Sequence, residues 1–203
     1  MHGDVTLSNL MCKEDNRYGV LNDFDLSTIM DPGSRHPNRQ GLERTGTLAF
    51  MAVELLKDEG FDGKIPWRYD HELESFTWVL VWVSRCVHNG DQIYPPHRLA
   101  QWINNNNDAV YASKIAFVVG QKSIPMTEDY KSLSTMLGTW VTENFLRYIN
   151  DESASKTPTE HLQALIGLCE RSAHGDPFVA VPIEVAWING LADLKFSTPS
   201  ASE

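Results

Sequence analysis

The chain has 203 residues, 42% of them hydrophobic, which is enough for one medium-sized domain or two small ones. Its formal charge of −10 at pH 7 argues against a broad nucleic-acid or acidic-membrane footprint, so neither partner is expected. Three widely separated cysteines, Cys12, Cys86 and Cys169, include no Cys-x-x-Cys pair, which suggests neither a disulfide framework nor a zinc ribbon and points to an intracellular, reducing compartment.

Residues 1–30 read as short strands and turns. Gly19-Val20-Leu21 is a brief apolar strand running into the acidic Asn22-Asp23-Phe24-Asp25. Residues 31–46 are rich in Pro, Gly, Ser and Arg and read as a long loop, with Arg35, Arg39 and Arg44 as a solvated basic patch. Ala49 to Leu56 is helical in composition, and Gly60, Gly63 and Pro66 mark another loop. The strongest element follows in "HELESFTWVLVWVSRCV". Phe76, Val79, Leu80 and Val83 recur at helical spacing while Trp78, Val81 and Trp82 cover the opposite side, so residues 73–87 are expected to form a helix buried all round and ended by Asn89-Gly90. Its apolar run around residues 76–83 is too short to span a bilayer.

Helical patterns resume at 97–103 and 109–119, separated by the Asn104–Asn107 run, which reads as a solvated loop. From Thr127 onward Tyr130, Leu133, Leu137, Trp140 and Val141 share one face. Thr157-Pro158 with Glu160 is a helix-start signal for a stripe of Leu162, Leu165, Ile166 and Cys169, and residues 195–203 read as a disordered tail. The expected fold is mainly α with a small strand-rich entrance.

The chemistry concentrates at the start, in "MHGDVTLSNLM". Asp4 is a carboxylate that could accept a proton from an attacking hydroxyl and orient it. Asn9 offers a neutral amide oxygen and Asp23 a second carboxylate, both hard oxygen groups. Each residue also has a plainer reading: a chance spacing for His2, Asp4 and Asn9, a strand ending in a turn for Asp23, and a helix N-terminus for Thr47.

The spacing His2-x-Asp4-x-x-x-x-Asn9 matches a known protein-kinase signature, the catalytic loop. "GTLAFMAVE", residues 46–54, resembles the kinase segment that receives the substrate, and "HELESFTWVLVW" with the Asp-Phe-Asp of residues 23–25 resembles the fungal-type protein kinases. This resemblance covers residues 1–90 with motifs and the remainder by helical character only. It implies a protein-kinase-like C-terminal lobe over 1–194, with a catalytic loop at 2–9, a metal-binding motif at 23–25, an activation segment at 23–54 and a helical subdomain at 71–194. By the same resemblance Asp4, Asn9 and Thr47 are catalytic, Asn9 and Asp23 hold Mg²⁺ and ATP, and His2, Glu54 and Glu72 are structural. Thr47 would bridge to the catalytic carboxylate, Glu54 would pair with a later Arg, and Glu72 would anchor the catalytic-loop backbone. The implied activity is ATP- and Mg²⁺-dependent phosphoryl transfer to protein Ser or Thr.

Three positions depart from the family pattern. Gly3 replaces an Arg that would receive a phosphorylated activation loop, so ordering of residues 26–45 by phosphorylation at Ser27, Thr28 or Ser34 is not expected through it. Thr6 replaces a phosphate-holding Lys, and Glu72 replaces the more usual Asp. A Gly-rich loop, a strand Lys and its Glu partner would lie upstream in a longer parent, so this chain alone is expected to be inactive. Two other readings stand beside the kinase: a non-catalytic, pseudokinase-like interaction module, and an aminoglycoside- or choline-type small-molecule phosphotransferase, which "HGD" also resembles.

Overall fold

The computed structural model describes residues 1–12, 19–29, 46–120 and 124–149, with isolated positions between 160 and 167. The basic loop arginines, half of the activation segment (residues 30–45), the Thr157-Pro158 helix start with its stripe and the C-terminal tail lie outside the described residues. Among those described, the chain is mostly helical with two small antiparallel sheets.

The first sheet pairs β1 (Leu10–Cys12) with β2 (Gly19–Leu21) in the register Leu10↔Leu21 and Cys12↔Gly19. The pairing extends past the strands, since Asn22 N–H donates to the Asn9 carbonyl at 2.8 Å. Met1 and Thr28 close the same layer by exchanging two 2.8 Å bonds between amino or amide nitrogen and carbonyl oxygen. Leu7 and Leu10 pack this entrance onto the main core.

Ala49 to Leu56 is helical only at its end. Turns at 48–50 lead into a 3-10 turn, Glu54–Leu56, followed directly by a short helix α1 (Asp58–Phe61) that contains Gly60, where a loop was expected. A Cβ on Gly60 would lie 2.5 Å from the Leu55 carbonyl oxygen, so the close approach of the two turns selects glycine. Their apolar side chains, Met51, Ala52, Leu55 and Leu56, form a second core cluster with Val110.

The long helix α2 spans Tyr69–Cys86. It starts where Arg68 N–H donates to His71 Nδ1 at 3.1 Å, a back-bond that satisfies a donor ahead of the first turn. Asp70 and Glu72 in that turn and Arg85 in the last suit the helix dipole. Trp78, Val81 and Trp82 are buried, but Leu80 is 41% exposed and Leu73, Phe76 and Val83 are half-buried. The helix is therefore covered over most of its circumference and open along one strip, at Leu80 and its half-buried neighbours, rather than buried all round. Apolar composition gave the wrong answer for Leu80 because an exposed apolar side chain is ordinary on a protein surface.

Asn89-Gly90 also proves to be something other than a helix stop. Both residues have positive φ (52° and 85°) and join β3 (Val87–His88) to β4 (Asp91–Gln92) in a two-residue hairpin, the conformation that Asn-Gly favours. After α3 (His97–Ala100) and the turn Gln101–Ile103 comes α4 (Asn107–Gly120). Asn106, from the asparagine run, accepts Ala109 N–H on its side-chain oxygen at 2.9 Å, as an N-cap does. The last described helix, α5 (Ser134–Ile149), buries Leu137, Trp140 and Val141 against α2, and Trp140 Nε1 donates to Thr77 Oγ1 at 2.8 Å. Edge-to-face contacts join Trp78, Trp102 and Phe117 at ring separations of 5.3–6.3 Å.

Candidate active site

The opening stretch is fixed from below by the first turn of α2. Glu72 Oε2 accepts His2 N–H at 3.1 Å, and Oε1 accepts Gly3 N–H at 2.9 Å and Trp67 Nε1–H at 3.0 Å. The extra methylene of Glu relative to Asp thus leaves it within reach of two successive backbone donors. These backbone groups are buried, so a lost acceptor would leave costly unsatisfied donors.

His2 works laterally. Its Nδ1 accepts Asp4 N–H at 3.3 Å, which leaves Nε2 to donate to the Asn22 carbonyl at 2.8 Å. The ring also meets Phe24 edge-on at 5.0 Å. Together with the Asn9–Asn22 bond, this holds the residues on both sides of Asp23. Asp23 itself is exposed with φ of 62°, a left-handed backbone uncommon for a non-glycine residue and the kind of strain that accompanies functional turns.

Asp4 and Thr47 meet directly. Asp4 Oδ1 accepts both Thr47 N–H at 2.9 Å and Thr47 Oγ1–H at 3.2 Å. On the other side Asn9 Nδ2 donates to the Asp4 carbonyl at 3.0 Å and lies 3.5 Å from Oδ2. With its amide nitrogen engaged, Asn9 presents its oxygen as the remaining donor atom. Asn9 Oδ1 and the Asp23 carboxylate are hard oxygen ligands, which fits Mg²⁺ shared with phosphate oxygens. Among the described residues there is no group of three or more His, Cys, Asp and Glu side chains able to hold a metal by themselves.

The segment after Thr47 is held by three side chains. Glu54 pairs with Arg68, and its Oε2 lies 3.0 Å from His71 Nε2. The hydrogen bond from His71, with Arg68 assisting and burial opposing, lowers the Glu54 pKa to about 2. Glu74 Oε1 accepts Val53 N–H at 2.7 Å and Trp78 Nε1–H at 2.9 Å. Lys114, fully buried on α4, donates to the Met51 carbonyl at 2.5 Å and reaches that of Leu48 at 3.4 Å, with its ammonium 4.9 Å from the Trp78 ring centroid and 5.4 Å from that of Trp102.

Sequence reasoning named Glu54 and Glu72 but missed Glu74, Trp67, Lys114 and the bond of His71 to Glu54. Glu72 and Glu74 stand two apart at a helix start, so they reach different neighbours, the catalytic loop and residue 53. That pattern was legible. Lys114 carried no signal beyond its position in an otherwise apolar row with Val110 and Phe117.

Thr6, at the position where a phosphate-holding Lys is usual, is buried with its hydroxyl 2.8 Å from that of Ser8. No described helix is long and apolar enough to cross a membrane. Residues 1–84, which contain every candidate residue named from the sequence, match the family model described as fungal protein kinase. No curated protein and no solved structure matches the chain.

Proposed function

We propose that this chain, whose residues 1–84 match the family model described as fungal protein kinase, is the catalytic-loop lobe of a protein-kinase-like fold that in a longer parent transfers phosphate from Mg²⁺-ATP to Ser or Thr hydroxyls of a protein, the lobe alone being inactive. The observation that supports this best is the double hydrogen bond from Thr47 to Asp4 Oδ1. It ties a candidate base to the segment on which a substrate would lie, across 43 residues of sequence.

In this reading Asp4 orients the attacking hydroxyl and takes its proton, while Thr47 fixes the carboxylate rotamer. Asn9 and Asp23 would hold the metal, which when bound would neutralise charge on the nucleotide phosphates. Glu72 and His2 keep the loop and the Asp23 turn in register. Glu54, Glu74 and Lys114 keep the substrate segment against α2 and α4.

The test is Mg²⁺-dependent binding of ATP to the full chain, followed by the amide resonances of Asn9 and Asp23, together with phosphate incorporation into a generic protein substrate. Binding in the millimolar range that disappears in Asp23→Asn is expected, with any incorporation lost in Asp4→Asn. Absence of Mg²⁺-dependent shifts at both residues would refute the assignment.

The buried Thr6, whose hydroxyl is engaged with that of Ser8, favours a second reading, a non-catalytic module, because it offers no charge to a transferred phosphate. Nucleotide binding without any incorporation would select it.

A further inference from the structure

Arg85 is the first residue beyond the family match and lies at the far end of α2 from Glu72. The two ends are separated by roughly 20 Å at 1.5 Å per residue. Arg85 is 4% exposed, yet no carboxylate among the described residues pairs with it. Its Nη1 donates to Ser84 Oγ at 2.7 Å, one face of the guanidinium rests 4.9 Å from the Phe117 ring centroid, and Nε–H is buried without an acceptor among the described residues. Burial lowers its pKa only to about 10, so it stays a cation at neutral pH. Burial also pushes the thiol of neighbouring Cys86 up to about 12, so that group is neutral and is not the counter-ion. A buried cation with an unsatisfied donor is a costly arrangement for a protein to keep without a partner.

Arg85 lines a cavity of about 860 Å³ between the end of α2 and the start of α5. Ile124, Pro125 and Met126 form an apolar wall. The opposite wall is the first turns of α5, where Thr135, Gly138, Thr139 and Thr142 fall on one face at helical spacing. Lys131 stands at the rim, but it is exposed and already paired with Glu128 at 2.5 Å. Among the described residues the cavity thus offers one cation without a counter-ion, hydroxyls near a helix N-terminus and an apolar surface. Its size is that of a small-molecule site.

We propose that this cavity binds a small organic carboxylate, with Arg85 as its anchor. One guanidinium edge is held by Ser84; a turn of the side chain toward the cavity would bring the edge carrying the buried Nε onto a carboxylate, whose two oxygens match the guanidinium fork. A single available cation balances a monoanion, whereas a dianionic phosphate would bring excess charge beside Glu128. The ligand's apolar body lies against Ile124, Pro125 and Met126. This site is independent of the proposed phosphoryl transfer.

The test titrates the full chain with 3-phenylpropionate while following the Arg85 side-chain Nε–Hε resonance and the amides of Thr135 and Thr139. Neutral 3-phenylpropanamide and inorganic phosphate serve as parallel probes. Saturable shifts with the carboxylate are expected, at an affinity at least about tenfold tighter than with the amide or with phosphate. Arg85→Met should abolish the response at Thr135 and Thr139. Arg85→Lys, which keeps the charge but not the fork, should weaken it. A wild-type Nε–Hε resonance that does not respond to the carboxylate would overturn the proposal without recourse to any variant. Equal binding of the amide would overturn the anchoring role of Arg85, and equal or tighter binding of phosphate would overturn the carboxylate assignment.

Discussion

Glu54 Oε2 sits 3.0 Å from Nε2 of His71, a fully buried ring whose Nδ1 already accepts the Arg68 N–H. The ring must therefore donate to the carboxylate, and with Arg68 it holds the Glu54 pKa near 2, below the ordinary 4.5. Between those two values the unfolded chain binds a proton that the folded one does not. This contribution to stability is complete above about pH 4.5 and is lost as pH falls toward 2. Its size is on the order of 2–3 kcal/mol. Unfolding free energy measured by denaturant titration from pH 6 downward should fall over this window in the wild type, and Glu54→Gln should flatten that dependence and be less stable at pH 6.

Gly3 has φ of +88°, and a Cβ there would lie 2.8 Å from the Leu26 carbonyl oxygen. The missing Arg at this position is thus matched by a backbone that disfavours any side chain. Gly3→Ala should cost about 1–2 kcal/mol, and Gly3→Arg at least as much, without creating a phosphate receptor. Gly19, with no described residue within 4 Å of its Cβ position, is the control. Gly19→Ala should change stability by less than about 0.5 kcal/mol in the same thermal melts.

Two leucines test the open strip on α2. Leu80 is 41% exposed, while Leu99 is fully buried beneath the same helix. Leu99→Ala should cost about 2–5 kcal/mol, but Leu80→Ala less than about 1 kcal/mol. Comparable losses in chemical denaturation would mean that the Leu80 face is covered after all.

Thr47→Val keeps the backbone donor to Asp4 and removes only the hydroxyl. Because the bond is exposed, stability should change by less than about 1 kcal/mol. If Thr47 sets the Asp4 rotamer, any phosphoryl transfer should fall by about 10–100-fold with little change in nucleotide affinity. Equal rates for the two proteins would remove Thr47 from the site.

Lys114→Met preserves the apolar stem against Trp78 and Trp102 but removes the donor to the Leu48 and Met51 carbonyls. Amide exchange at Phe50 and Met51, whose N–H groups bond within the same turn, should speed up by at least about tenfold. Unchanged exchange would assign the ordering of that segment to Glu74 and Glu54 alone.

The opening motif was legible because each of its residues is a polar type that a core would otherwise exclude. Asp4, Asn9, Thr47, Glu54 and Glu72 could be named before any contact was seen, and each finds a partner. What escaped was support that depends on three-dimensional closure. Nothing local marks Lys114 as the donor to carbonyls more than sixty residues away. Leu80 misled because helical periodicity says which residues share a face, not whether another element covers it. Asn89-Gly90 was read as a terminus when its flanks, Val87-His88 and Asp91-Gln92, were long enough for a minimal hairpin.

The Glu72 anchor has a consequence for the order in which the protein takes shape during synthesis. His2 and Gly3 find their acceptor 70 and 69 residues further along the chain. At about 5–20 residues per second, a ribosome needs roughly 4–14 s to add that stretch. Through that interval the loop carrying Asp4 has no carboxylate to gather its amides, and closing so long a loop carries an entropic cost that short-range contacts avoid. The β1–β2 hairpin can form early, whereas the shape of the loop beside it must wait for the first turn of α2.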